Sequence, residues 1–206
     1  MQGKSIRWVL FDLGGVMVEI GGVVDTMRAA LGPSSTQDPW EAWLQSPAVW
    51  DWETGVTQNE EFARQLVSEL GLSVTPDEFL ADCSTWVLGT FDGIPALLAS
   101  LRGRVGLACL SNTNPLHWPI IQRDLRLHEA LDRCFLSYML GMGKPNPATF
   151  GHVVDQLGCS PAEVLFIDDN RLNIEGARAA GLRAKQAFGG EAVRAVLEEA
   201  GLIPRA

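Results

Sequence analysis

The stretch Ile6-Arg-Trp-Val-Leu-Phe-Asp-Leu-Gly-Gly15, IRWVLFDLGG, decides how this chain is read. A short apolar run stops at one carboxylate, Asp12, and two glycines follow after a single residue. That is the pattern of a buried strand running into a tight turn. In an open parallel sheet, ligands bind outside the carboxyl ends of the strands, so a charge at such an end is placed for chemistry.

The same arrangement recurs downstream. Val105–Leu110 ends at Ser111-Asn112, Cys134–Leu136 ends at Ser137, Val164–Ile167 ends at Asp168-Asp169-Asn170, and Arg183–Ala187 is a weaker strand candidate. Helical patterns separate these runs: Gly93–Leu101, a helix opened by Asn146-Pro147 and reaching about Leu157, Asn173–Ala180, and Glu191–Ala200. Ser160-Pro-Ala-Glu163 carries capping-box chemistry ahead of a strand. Strands alternating with helices through short loops predict a parallel sheet covered on both faces, a doubly wound, Rossmann-like α/β fold.

Residues 22–90 interrupt that alternation. They predict helices over Val23–Leu31, Pro39–Trp50, Thr57–Leu70 and from Thr75 to about Leu88, with no strand. The expected organisation is an α/β core domain of residues 1–18 and 91–206, with a helical cap subdomain of 19–90 lying over the end of the first strand. Five of the seven tryptophans (Trp40, Trp43, Trp50, Trp52 and Trp86) fall in the insert, where large apolar side chains close a small core. Trp50 or Trp52, in WDWETG, are the candidates for facing a ligand.

Composition narrows the function. With 25 acidic and 16 basic residues the formal charge is −9, and no Lys/Arg cluster offers the contacts that hold a nucleic-acid backbone. No apolar run reaches the roughly 18–20 residues of a membrane span. The basic start MQGK leads into an apolar run too short for a signal peptide, and the four scattered cysteines form no C-x-x-C pair and read as buried thiols in a reducing compartment. A cytoplasmic protein acting on a small molecule is expected, with monomer or weak dimer left open.

Asp12, Ser111-Asn112, Lys144 and Asp168-Asp169 all fall at predicted strand ends or the loops beside them. Each alone has an ordinary explanation as a turn former, a helix cap or a solvated charge. Together they differ: three carboxylates brought to adjacent strand ends repel one another unless a cation lies between them. Oxygen ligands of this kind suit Mg²⁺. Gly14 and Gly15 let the chain turn sharply enough for main-chain groups to face the same point.

FDLGGV (Phe11–Val16), LSNTN (Leu110–Asn114), GMGKPNPATF (Gly141–Phe150) and FIDDNRLNIEGARAAG (Phe166–Gly181) resemble, in order and spacing, the four motifs of the haloacid dehalogenase-like hydrolase superfamily in its helical-cap subgroup. Their wording is most similar to that of the bacterial α-D-glucose-1-phosphate phosphatases. The resemblance implies a phosphomonoesterase acting on a small phosphorylated metabolite, such as a sugar 1-phosphate, through an aspartyl-phosphate. It further implies Asp12 as the nucleophile and a Mg²⁺ ligand, and the Gly14 carbonyl as another ligand. Ser111, the Asn112 amide and the Gly15 backbone would hold phosphate, and Lys144 would neutralise charge. Asp169 would bind the metal directly, Asp168 would support the metal or Lys144, and Asn173 would stand where the family has a later carboxylate.

One departure stands out. Most phosphatases of this superfamily carry a second Asp two residues after the nucleophile, which protonates the leaving oxygen and activates water; here that residue is Gly14. Such a group normally contributes roughly 10²- to 10⁴-fold. Three explanations stay open at this stage: a good leaving group, a substitute such as Glu19 or His117, or slow or absent turnover. His117 has an alternative reading as a surface or helix-capping residue. A 2-haloacid dehalogenase, whose halide needs no proton, and a catalytically weak ligand-binding homologue are the competing functions. The Asp168-Asp169 pair argues against the dehalogenase, which needs no metal.

Overall fold

The computed structural model describes residues 5–205; the basic start Met1–Lys4 and Ala206 lie outside them. In chain order the elements are β1 (Trp8–Phe11), β2 (Val18–Ile20), α1 (Val23–Leu31), α2 (Pro39–Gln45), α3 (Pro47–Glu53), α4 (Asn59–Leu70), α5 (Pro76–Cys83), β3 (Val87–Thr90) and α6 (Ile94–Leu101). There follow β4 (Gly106–Ser111), α7 (His117–Ile120), β5 (Arg133–Leu136), α8 (Ser137–Leu140), α9 (Pro147–Leu157), β6 (Val164–Asp168), α10 (Arg171–Ala179), β7 (Arg183–Gln186) and α11 (Gly189–Glu199).

Five strands form a parallel sheet in the order β5-β4-β1-β6-β7. The alternation of side chains along each strand divides the core in two. Val9, Phe11, Leu107, Cys109, Leu165 and Ile167 face one apolar layer with α6 and α11. Leu10, Ala108, Leu110, Val164 and Phe166 face the other with α9 and α10. These strands are apolar on both faces because both are covered, and each fully buried Leu, Ile, Val or Phe contributes about 1.5–3 kcal/mol. β1 lies at the centre, with β4 on one side and β6 on the other, so the order of the sheet reverses around it. Asp12, Ser111 and Asp168 therefore emerge side by side.

Between β2 and β3 the chain leaves the sheet and builds helices α1–α5 around a cluster of their own, with Met27, Trp43, Trp52, Phe62, Phe79, Cys83 and Trp86 buried at its centre. Trp52 stacks flat on Phe62 at 3.8 Å. Its indole N–H donates to Asn59 Oδ1. Trp52 is thus a packing residue, while Trp50 is exposed.

Several expectations need correction. The single helix expected over Pro39–Trp50 is two: Ser46 ends α2 and caps α3, with its hydroxyl accepting from the Val49 N–H and Pro47 at the first helical position. The helix opened by the Thr75 capping box stops at Cys83, and Val87–Thr90, expected as helix or loop, is a strand antiparallel to Val18–Ile20. α10 begins at Arg171, capped by the Asn170 side chain on the Leu172 N–H, two residues before Asn173. Cys83 and Cys109 are buried, whereas Cys134 and Cys159 are only partly so. No helix among the described residues is long and apolar enough to cross a membrane.

Candidate active site

The turn after β1 is held to its neighbour strand by the Asp12 N–H, which donates to the Ile167 carbonyl at 2.9 Å. Asp12 Oδ1 accepts from the Leu13 N–H at 2.7 Å and pairs with Lys144 Nζ at 2.8 Å. The second oxygen, Oδ2, makes no hydrogen bond among the described residues. Lys144 Nζ also meets Asp168 Oδ2 at 2.6 Å, with both side chains sealed from solvent. Asp168 is filled: its Oδ1 accepts from the Asn170 N–H, and Asn173 Nδ2 donates to both oxygens. Asn173, at the place of a carboxylate in the family motif, therefore serves as an uncharged donor to Asp168.

Asp169 points the other way, toward Gly15. Gly15 has φ +74°, and a Cβ built there would lie 2.5 Å from Asp169 Oδ2. The position admits glycine alone, on conformational and steric grounds together. Gly14 is unlike its neighbour. Its φ lies outside the left-handed region, and a Cβ there would meet Ile20 Cγ1 at an ordinary 3.4 Å.

Lys144 is positioned from behind by Asn112, whose side chain accepts from the Lys144 N–H at 2.9 Å and donates to the Lys144 carbonyl at 3.0 Å. This two-point clamp fixes the start of the loop into α9. The Asn112 side chain is thus spoken for, which leaves as donors its backbone amide and, at the end of β4, Ser111 Oγ, whose present bond to the Asn112 carbonyl is a long 3.3 Å that a hydroxyl can give up by rotating. The 111–112 turn is anchored further by Ser137, whose hydroxyl accepts from the Thr113 N–H and donates to its carbonyl.

Charge is the dominant physical feature. Burial pushes the Asp12 carboxyl up, Lys144 pulls it down, and Asp168 and Asp169 push it up again. Burial also raises Asp169, with Asp168 adding to it and Lys144 opposing. Burial alone would lower Lys144, but Asp12 and Asp168 more than offset it and hold the ammonium above its ordinary value. One lysine against three buried or half-buried carboxylates leaves surplus negative charge. Asp12, Asp168 and Asp169 each offer an oxygen within 4.8 Å of the others. A set of hard carboxylate oxygens of this kind fits Mg²⁺.

The two residues offered as substitutes for the missing acid lie in different surroundings. Glu19 is exposed on β2. His117 is buried, neither surface residue nor substrate contact: its Nε2 lies 2.9 Å from the Cys83 carbonyl and its Nδ1 3.1 Å from Asn114 Nδ2. An imidazole that donates from Nε2 and accepts at Nδ1 satisfies both, and burial holds its pKa below the ordinary value. It staples the loop after β4 to the end of α5.

A residue absent from these expectations enters the region instead. Glu53 closes α3, is partly buried, and has its carboxyl pushed up to about 7 by burial, with Lys144 pulling in the opposite direction. The signal in the sequence is Gly55, at φ +77°: a Cβ there would lie 2.1 Å from the Tyr138 carbonyl, so the backbone after α3 is pressed against the core.

A family model for haloacid dehalogenase-like hydrolases matches residues 6–181, spanning every motif described above. The chain belongs to this family. Within the haloacid dehalogenase-like hydrolases, it is 31% identical over 190 residues to a phosphatase of Mycobacterium tuberculosis, covering 87% of this chain and 86% of the relative. It is 29% identical over 194 residues to the D-ribitol-5-phosphate phosphatase of Bacteroides thetaiotaomicron, covering 88% and 91%. Among solved structures, a family enzyme of Bacteroides thetaiotaomicron in complex with magnesium and inorganic phosphate superposes with a TM-score of 0.74 at 24% identity, covering 90% of this chain and 96% of the other. That likeness concerns the fold, which is the Rossmann-like α/β core of haloacid dehalogenase-like hydrolases. The chain is a hydrolase.

Proposed function

We propose that this hydrolase is a Mg²⁺-dependent phosphomonoesterase that acts on a small phosphorylated metabolite through an aspartyl-phosphate on Asp12. The observation that carries the reading is the cluster of Asp12, Asp168 and Asp169 around Lys144, with Asp12 Oδ2 left without a hydrogen-bond partner. Bound Mg²⁺, held by Asp12, Asp169 and the Gly14 carbonyl, would supply charge neutralisation for a phosphate dianion.

The remaining work falls to the chain's own groups. Asp12 attacks phosphorus in line with the departing oxygen, and Lys144 offsets charge on nucleophile and phosphoryl group alike. Ser111 Oγ and the Asn112 N–H orient the phosphoryl oxygens; the Gly15 N–H, expected to join them, already donates to the Val18 carbonyl at 3.0 Å. Asp168 keeps Lys144 charged and in place. The helical insert of residues 19–90 acts as a cap over this point and reads the rest of the substrate; the phosphatase relatives and the motif wording favour a sugar phosphate, with a sugar 1-phosphate among the candidates.

A second reading, haloacid dehalogenase chemistry, draws support from Gly14 and from 28% identity over 186 residues to an (S)-2-haloacid dehalogenase of Xanthobacter autotrophicus. One assay pair separates the two. Phosphate release from p-nitrophenyl phosphate is expected to vanish in EDTA and return with Mg²⁺, while 2-chloropropionate yields no halide. Metal-independent halide release would overturn the phosphatase reading.

Gly15→Ala tests the close approach to Asp169. The added methyl displaces that carboxylate, so kcat is expected to fall about 10²-fold and the Mg²⁺ concentration for half-maximal turnover to rise. The left-handed backbone adds a cost of about 1–2 kcal/mol, seen as a melting temperature lower by roughly 2–8 °C. Unchanged Mg²⁺ dependence would remove Asp169 from the metal site.

A further inference from the structure

We propose that Glu53, from the cap, supplies the general acid and base that Gly14 does not. The proposal rests on the phosphomonoesterase reading of the Asp12 site and names the group that completes its chemistry.

The glycine at position 14 is not demanded by the backbone. Its φ is outside the left-handed region, and a side chain would find an ordinary contact with Ile20. Neither the backbone nor the room for a Cβ therefore accounts for the missing carboxylate, and its work falls to another group. Glu53 is placed to do it.

Its position is fixed from both sides. Trp52, immediately before it, is locked in the insert by its stack on Phe62. Gly55, two residues after it, abuts the Tyr138 carbonyl in α8, the element that follows β5 directly. The backbone that carries Glu53 is thus held between the insert's apolar cluster and the end of β5. It makes no hydrogen bond or ion pair within 4 Å among the described residues, although it is partly buried. Its oxygens keep some access to solvent, so they are open to a proton donor, a water or a substrate oxygen.

The charged and titratable groups that act on it are few. Lys144 reaches it electrostatically from the core, and the buried Cys83 thiol at the end of α5 feels its charge. Lys144 is already committed to Asp12 and Asp168. A carboxyl titrating at about 7 is half protonated near neutrality, which suits a group that must first give a proton and then take one.

The two steps balance. Asp12 Oδ2 forms a bond to phosphorus as the bond from phosphorus to the substrate oxygen breaks. Protonated Glu53 gives its proton to that oxygen, and the alcohol leaves. The Glu53 carboxylate then takes a proton from water as the water oxygen bonds to phosphorus. The bond from phosphorus to Asp12 breaks, releasing inorganic phosphate and restoring both Asp12 as carboxylate and Glu53 as acid.

The test compares wild type, Glu53→Gln, and Glu53→Gln combined with Gly14→Asp, all with Mg²⁺ present. The substrates are glycerol 3-phosphate, a poor leaving group, and p-nitrophenyl phosphate, a good one. Glu53→Gln is expected to lower kcat on glycerol 3-phosphate by roughly 10²- to 10⁴-fold. With p-nitrophenyl phosphate it is expected to release one equivalent of nitrophenolate in a burst, followed by slow turnover, because the aspartyl-phosphate accumulates when water is no longer activated. Mg²⁺ dependence stays at the wild-type value, and the melting temperature is equal to or slightly above wild type, because a charge that burial disfavours is removed. Adding Gly14→Asp restores at least tenfold of the lost rate.

A merely structural role would depress both substrates alike, with no burst and no recovery by Gly14→Asp, and that result would overturn the proposal. So would a Glu53→Gln protein as fast as wild type on both substrates. In those two cases the wild type still hydrolyses phosphate, so the phosphatase reading stands. Wild-type silence on both phosphates would overturn that reading and the assignment of Glu53 with it.

Discussion

Asp12→Asn is expected to lose phosphate release by a factor on the order of 10⁴ to 10⁶, the scale seen when a covalent nucleophile is removed. The amide keeps the shape of the side chain and can still accept from the Leu13 N–H at Oδ1. It cannot attack phosphorus, because its electron pair is delocalised into the C–N bond and it carries no charge. One carboxylate fewer also relieves repulsion from Asp168 and Asp169, so the fold should survive with a melting temperature equal to or slightly above wild type. Acid quench after incubation with ³²P-labelled substrate should trap labelled protein in wild type and none in the variant. Retained turnover would move the chemistry to a different residue.

Lys144→Met is expected to damage stability as well as catalysis. The ammonium sits 2.8 Å from Asp12 Oδ1 and 2.6 Å from Asp168 Oδ2, with 1% of its side chain exposed and none of the Asp168 side chain exposed. Removing it leaves a buried carboxylate with no opposing charge. Breaking a buried pair in this way costs about 3–5 kcal/mol, or roughly 6–20 °C of melting temperature for a chain of this size. Lys144→Met combined with Asp168→Asn should recover most of that loss, since an amide at 168 carries no charge to compensate. It should recover none of the activity, because nothing then balances the phosphoryl group. A double variant no more stable than Lys144→Met alone would mean that the pair matters for packing rather than charge.

Much of the fold was legible because the sheet strands announce themselves. Phe11-Asp12, Leu110-Ser111, Leu136-Ser137 and Ile167-Asp168 each mark the point where an apolar run meets a polar strand end, and periodicity cannot mistake four such junctions. The β2/β3 pair was not legible because its strands are three and four residues long, too short to display an alternation. Val87–Thr90 also follows a helix whose apolar positions run on smoothly past its true end at Cys83. The split at Ser46-Pro47 was legible in principle, since a Ser-Pro step inside a helical pattern both stops one helix and caps the next.

At the site, Asp12, Ser111, Asn112, Lys144, Asp168 and Asp169 could be named because each follows a strand or sits in a motif. The partners of those residues could not. Asn112 clamps a residue 32 positions away, and His117 reaches a carbonyl 34 positions away, contacts that exist only once loops from different strands meet. Glu53 was hidden for the same reason. In WDWETG it looks like a solvated charge at a helix end, and only the approach of Gly55 to Tyr138 shows that its backbone lies against the core.

The ribbon of β2 and β3 has a consequence for how such enzymes diversify. The chain departs from the core at Ile20 and returns at Val87, and those residues are register partners on adjacent strands. The two ends of a 60-odd-residue excursion therefore stand roughly 5 Å apart, one strand spacing. A segment whose ends coincide can be lengthened, trimmed or exchanged wholesale without asking any strand of the sheet to move. The surface that chooses the molecule can thereby vary while the strand that carries the nucleophile stays fixed, provided the few insert groups that touch the core are kept.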